Sequence, residues 1–176
     1  DTTGVIQSWT VPTSAVSSSD SNATYCTWRG VTCTDVILEI HVNEAWFHGL
    51  VGTLPPAEVL IALPHLSVFE VSNQSEITGS IPGSWSQLLQ VQEVTLRNNS
   101  LSGPIPRELA KLCSLQLLDV SANQLTGSLP VEFNALTQIS KLDLGNNTLT
   151  GTLPGPWEGL TGLFYLYLDF NMLIGT

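Results

Sequence analysis

The sequence predicts an α/β solenoid, mostly β-strand and coil, wound as a right-handed curved superhelix. A parallel sheet lines its concave side, and short helical or 3₁₀ turns line its convex side. Three observations carry the prediction. Val94, Leu118, Leu142 and Leu166 open near-identical stretches 24 residues apart. Each stretch alternates apolar and polar residues over the length of a short strand and then reaches a Gly, with Leu or Ile followed by Pro in the complete copies. Hydrophobic residues make up 43% of the 176-residue chain and charged ones only 11%, a balance opposite to that of a disordered chain. The length fits one domain.

The copies follow one another along the chain. The first is stretched: Ile40-His-Val42 leads to Leu50, Gly52, Leu54 and Pro55, with extra residues within Asn43 to Gly49 and between Pro55 and Leu66. The second runs from Phe69-Glu-Val71 to Ile77, Gly79, Ile81 and Pro82 and is one residue longer before its Gly. Regular copies begin at Val94, Leu118 and Leu142, and a sixth, incomplete copy begins at Leu166. Apolar pairs such as Val94 and Leu96 suit a strand with one buried face. The Asn that follows (Asn99, Asn123, Asn147, Asn171) can bond backbone groups where the chain turns, so that stacked copies form an amide ladder. The Gly takes a backbone conformation other residues avoid. The residue before Pro is held extended, and a short helical turn is expected next, around Pro106 to Leu112. No repeat can bury its own face alone, so stability must come from stacking.

Fifteen acidic and five basic residues give a net charge of −10. Nucleic acid is excluded as a partner because its recognition needs a basic footprint, and anionic membrane surfaces are disfavoured on the same ground. No run of 18 apolar residues occurs. The start at Asp1 reads as a mature or trimmed product. Asn-x-Ser/Thr triplets at Asn22, Asn73, Asn98 and Asn146 agree with passage through a secretory pathway and mark candidate glycosylation sites. Cys26 and Cys33, close together in a polar segment, read as a disulfide, with two free thiols as the alternative; Cys113 reads as a buried free thiol.

At these residues the chain resembles the plant-type class of leucine-rich repeats, with its L-x-x-L-x-L-x-x-N-x-L-x-G-x-I/L-P pattern. Cys26-Thr-Trp28-Arg-Gly30-Val31-Thr-Cys33 resembles the N-terminal cap motif of that class, and Trp9 the tryptophan upstream of it. The resemblance implies a cap over residues 1–34 with Cys26 bonded to Cys33 and Trp28 covering the first repeat, and about six repeats over residues 35–176. Plant receptor-kinase ectodomains, receptor-like proteins and polygalacturonase inhibitors share this repeat, as do trypanosomatid surface antigens of the promastigote surface antigen type. The spacing of Trp85 and Trp157 after Pro, the two irregular early repeats and the short segment before Trp9 look like the parasite group. The family closes with a C-terminal cap, whereas Thr176 falls inside a repeat. That implies a fragment of a longer protein, with any membrane anchor outside this chain, or an end covered by self-association.

Residues beside the buried pair of each strand face the concave side. The central column is then His41, Glu70, Thr95, Asp119, Asp143 and Tyr167; one flank is Glu39, Val68, Glu93, Leu117, Lys141 and Tyr165; the other is Asn43, Ser72, Arg97, Ser121, Gly145 and Asp169. Glu70, Asp119 and Asp143 form an acidic stripe, and Phe164, Tyr165, Tyr167 and Phe170 an aromatic patch. Glu70, Glu93, Thr95, Arg97, Asp119, Lys141, Asp143, Tyr165, Tyr167 and Asp169 are the candidate ligand-binding residues, for a protein, peptide or glycan partner. A merely solvated stripe, and aromatics that pack on a further repeat, are the plainer alternatives. Catalysis is not expected. An open face does little to shift a carboxylate, no Ser-His-Asp set or G-x-S-x-G elbow occurs, and His41, His48 and His65 lack metal-ligand spacing. No cofactor is implied. The expected role is an extracellular binding module of receptor or adhesin type; the alternatives are a secreted inhibitor of a cell-wall-degrading enzyme and a structural surface coat.

Overall fold

The computed structural model describes residues 31–33, 38–42, 50–63, 65–155 and 157–175. The Cys26–Cys33 pairing, Trp9, Trp28, Asn43, His48 and the triplet at Asn22 lie outside those residues.

The repeat builds a seven-stranded sheet in the order β1-β2-β4-β6-β8-β10-β12. Its strands are β1 (Val31–Cys33), β2 (Leu38–Val42), β4 (Leu66–Val71), β6 (Glu93–Thr95), β8 (Leu117–Asp119), β10 (Lys141–Asp143) and β12 (Tyr165–Tyr167). β1 is antiparallel to β2, and the remaining neighbours are parallel. Register follows the sequence step, with Phe69 opposite Val94, Val94 opposite Leu118, Leu118 opposite Leu142 and Leu142 opposite Leu166. The inward residues Phe69, Val94, Leu118 and Leu142 are buried, whereas Leu166 on the last strand is 41% exposed.

A second ladder runs beside the first. β3 (Val51–Thr53), β5 (Gln74–Gly79), β7 (Asn99–Pro104) and β9 (Gln124–Thr126) form a four-stranded sheet, and β11 (Thr150–Gly151) pairs with β13 (Met172–Leu173). The sequence led us to expect only extended chain here. Extended segments stacked at the same repeat spacing leave backbone donors and acceptors facing one another, and they pair. The far end of these strands needs an unusual backbone: Gly127, just after β9, has φ +80°, and a Cβ there would lie 3.6 Å from Cβ of Pro104.

The convex side carries the expected short helices. α1 (Ala57–Leu60) and 3₁₀ turns at Gly83–Gln87, Arg107–Lys111 and Val131–Ala135 each begin just after a proline, namely Pro56, Pro82, Pro106 and Pro130. Proline suits that place because the first helical N–H groups have no intrahelical partner. Each turn sends one large side chain inward: Leu60, Trp85, Leu109 and Phe133. Trp85 meets the ring of Phe69 edge-on at 5.1 Å and donates its indole N–H to the Pro55 carbonyl at 2.7 Å. Its counterpart Trp157 is half-buried with no hydrogen-bond partner for its indole nitrogen. Cys113 corrects one expectation. It is exposed, because Leu112 and Leu115 take the inward positions of that loop.

The amide ladder is present. Asn147 Nδ2 donates to the carbonyls of Val120, Leu144 and Gly145, and its Oδ1 accepts the Leu125 N–H. Asn99, Asn123 and Asn171 repeat the arrangement. In the stretched second repeat Gln74 takes this place and accepts the Leu50 N–H. The residue before each ladder member has positive φ: Asn73 (58°), Asn98 (55°), Ala122 (52°), Asn146 (52°) and Phe170 (52°). Asn tolerates this left-handed conformation better than Ala or Phe. We expect Ala122→Asn to stabilise the fold by up to about 1 kcal/mol, read as a higher urea midpoint; a lower midpoint would contradict the strain argument.

Candidate functional site

The concave columns assemble in the expected order. His41 stands opposite Glu70, Glu70 opposite Thr95, Thr95 opposite Asp119, Asp119 opposite Asp143, and Asp143 opposite Tyr167. Glu39, Val68, Glu93, Leu117, Lys141 and Tyr165 pair in the same way. The third column is tied through backbone bonds from Asn73, Asn98, Ala122 and Asn146 to the carbonyls of Arg97, Ser121, Gly145 and Asp169. Neighbouring strands lie about 4.8 Å apart, so side chains of adjacent repeats reach one another.

That reach changes the acidic stripe. The His41 ring sits between two carboxylates, with Nδ1 at 2.8 Å from Glu70 Oε2 and Nε2 at 3.1 Å from Glu39 Oε2. Ser72 Oγ donates to the other Glu70 oxygen at 2.7 Å. Burial acts to lower the His41 pKa, but hydrogen bonds and charge from Glu70 and Glu39 outweigh it and raise it above 6.5. The pairing therefore stabilises the fold fully below 6.5 and is lost as pH rises through the higher folded value. An NMR titration should place the His41 midpoint above 6.5, and Glu70→Gln should lower it; an unmoved midpoint would remove Glu70 as a cause.

The second cluster centres on Lys141. Its Nζ lies 3.6 Å from Asp119 Oδ2, 3.8 Å from Asp143 Oδ2 and 5.8 Å from the centre of the Tyr167 ring. Asp119, only 5% exposed, accepts from Ser121 Oγ at 2.6 Å and from the Ser121 N–H at 3.1 Å. Asp143 accepts the Gly145 N–H at 3.2 Å. Burial pushes the Asp143 carboxyl up, and the charges of Asp119 and Asp169 add to this, against the Gly145 bond and Lys141. Thr95 separates Glu70 from this cluster, so the stripe is two paired groups rather than one row of free charges. The exposed candidates without an ion pair among the described residues are Glu93, Arg97 and Asp169.

Tyr165 and Tyr167 present parallel rings 6.5 Å apart, 58% and 43% exposed. Phe164 and Phe170 flank that strand, 82% and 80% exposed. Among the triplets, Asn98 and Asn146 are exposed, and Asn98 Nδ2 donates to Asn73 Oδ1 at 2.9 Å. All three described triplets start at the left-handed position before a ladder residue, which gives these asparagines a conformational role of their own. Among the described residues no group of His, Cys, Asp or Glu is arranged to hold a metal ion, and no helix is long and apolar enough to cross a membrane.

Sequence reasoning passed over the outward side of the second sheet. There Thr53, Thr78, Ser80, Ser102, Thr126, Ser128, Thr150 and Thr152 are all exposed. The signal was available: Ser and Thr recur on both sides of the repeat glycine.

Comparison with known proteins agrees with this architecture. Residues 90–112, 114–136 and 138–160 match the Leucine Rich Repeat family model. No curated protein sequence matches the chain. Among solved structures, the plant peptide hormone receptor RGFR1 in complex with RGF2 is 34% identical, with a TM-score of 0.66 over 71% of this chain and 20% of that one. The ectodomain of the receptor kinase SOBIR1 from Arabidopsis thaliana is 26% identical, with a TM-score of 0.73 over 85% of this chain and 86% of that one. A plant ice-binding protein is 29% identical, with a TM-score of 0.77 over 90% of this chain and 51% of that one. The chain thus spans a fifth of the peptide hormone receptor and about half of the ice-binding protein. Three of its repeats match the leucine-rich-repeat model, and its structural likeness includes plant receptor ectodomains.

Proposed function

We propose that this is a non-enzymatic extracellular module whose concave face recognises a protein or peptide partner. One observation carries the reading. Exposed Glu93, Tyr165 and Tyr167 stand on one sheet, with exposed Arg97 and Asp169 just beyond its strand ends, which the amide ladder fixes. Aromatic and charged groups held rigidly lose little freedom on binding. The likeness to a peptide hormone receptor supports the partner class, and the likeness to receptor ectodomains supports the extracellular setting. The test is a selection from a displayed random-peptide library, followed by calorimetry. Thr95→Trp, which places bulk at the centre of the face, should weaken selected peptides by about tenfold or more, the equivalent of about 1.4 kcal/mol. Peptides that bind Thr95→Trp as well as the parent domain would place recognition elsewhere and defeat the reading.

A second reading is favoured by the exposed Ser and Thr of the second sheet together with the likeness to a plant ice-binding protein. A rigid surface of hydroxyl and methyl groups can hold ordered water and dock on ice, with no part for the concave face. Thr126→Lys with Thr150→Lys should then abolish inhibition of ice recrystallisation. A parent domain with no such inhibition ends this reading.

A further inference from the structure

We propose that the concave face around β10 and β12 holds an arginine side chain of the partner, its guanidinium against Tyr167 and between the carboxylates of Asp143 and Asp169. This inference rests on the concave-face reading and names the chemistry of its anchor.

The geometry comes from three neighbouring strand ends. Asp143 and Gly145 leave β10 on the same face, and Tyr165, Tyr167 and Asp169 alternate along β12 and beyond it. Gly145 has no side chain, and the carboxylates beside it close over its backbone. A Cβ built there would lie 3.0 Å from Asp169 Oδ1 and 3.4 Å from Asp143 Oδ1. Two carboxylate oxygens, from neighbouring strand ends, therefore converge over a buried glycine and cover it.

Charge there is unbalanced. Lys141 faces both Asp119 and Asp143, at 3.6 and 3.8 Å, within ion-pair range but beyond a direct hydrogen bond to either. Asp169 has no ion pair among the described residues. Three carboxylates thus share one ammonium. Arg97, the other cation on this face, stands on the strand β6 side of the sheet, separated from Asp169 by Ser121 and Gly145 in its column. The raised pKa of Asp143 reports the same imbalance. A cation from outside relieves it.

The aromatic rings select the kind of cation. Tyr167 already has the Lys141 ammonium 5.8 Å from its ring centre, so the chain's own cation uses this ring. The outer parts of Tyr165 and Tyr167 remain open, with their planes parallel to within 1°. A guanidinium stacks on such a ring and points several N–H donors in its own plane, which suits carboxylates on two sides; a compact ammonium cannot serve both as well. The chain's charge of −10 draws a basic segment to the face.

The probes are N-acetyl-arginine amide, the lysine analogue and the neutral citrulline analogue, followed by NMR on the folded domain. The arginine probe should shift the Gly145 amide and the Tyr165 and Tyr167 ring signals saturably, with citrulline about tenfold weaker and lysine between them. Asp169→Asn, on the exposed surface, should weaken the arginine probe by about fivefold while leaving the melting curve in place. Equal shifts from arginine and citrulline, shifts away from Gly145, or indifference to Asp169→Asn would overturn the proposal. Library peptides that lose affinity to Thr95→Trp but contain no arginine and ignore Asp169→Asn would defeat this anchor alone and leave the concave-face reading standing.

Discussion

Replacing Asn147 by Ala should cost about 3–5 kcal/mol of stability, because it strands several buried backbone groups at once. Asn147 is 7% exposed. Its Oδ1 is the partner of the Leu125 N–H at 3.0 Å, and its Nδ2 serves the carbonyls of Val120 at 3.1 Å and of Leu144 and Gly145 at 3.2 Å. An alanine makes none of these bonds, and a single water entering the vacated space replaces only some of them. A buried polar group left without a partner costs about 1–3 kcal/mol, so one donor and the carbonyls dependent on Nδ2 account for the total. Asn147→Asp keeps the acceptor but loses both donors and buries a charge; it should be at least as damaging. Urea unfolding followed by circular dichroism gives the answer, and a midpoint within error of the parent would show the ladder to be ornamental.

Trp85→Ala should cost about as much, about 3–5 kcal/mol, by a different route. Trp85 is 1% exposed and fills the space behind β4, edge-on to Phe69 at 5.1 Å. Removing the indole leaves a cavity that the surrounding turns cannot close, since each is tied to its own proline entry and to its neighbours. Trp85→Phe separates packing from polarity. It keeps a six-membered ring but loses the N–H bond to Pro55 and part of the packed volume, so it should cost less than Ala, about 1–3 kcal/mol. Nearly equal losses for Ala and Phe would mean that the bond to Pro55, rather than the volume, dominates.

The strands, the amide ladder and the concave columns were legible in the sequence because each follows from a strict step and a two-residue alternation. Val94, Leu118 and Leu142 could not be in register without aligning Thr95, Asp119 and Asp143 as well. The second sheet was not legible. Residues such as Ser102 to Pro104 show no alternation, and their pairing comes from stacking rather than from their own pattern. Gln74 was hidden because the stretched repeat displaced its glycine while keeping the spacing from Phe69 to Gln74 equal to that from Val94 to Asn99. In the candidate site, residue positions were readable but their state was not. Asp119 is buried and Glu70 is tied to His41 and Ser72, outcomes set by side chains reaching from the next strand or two residues along.

The ladder also gives the molecule a direction. Asn99, Asn123, Asn147 and Asn171 each accept from an N–H earlier in the chain and reach back to a carbonyl in the coil before their own. A coil is therefore sealed by the one synthesised after it. During translation each new turn would bring the asparagine that latches its predecessor.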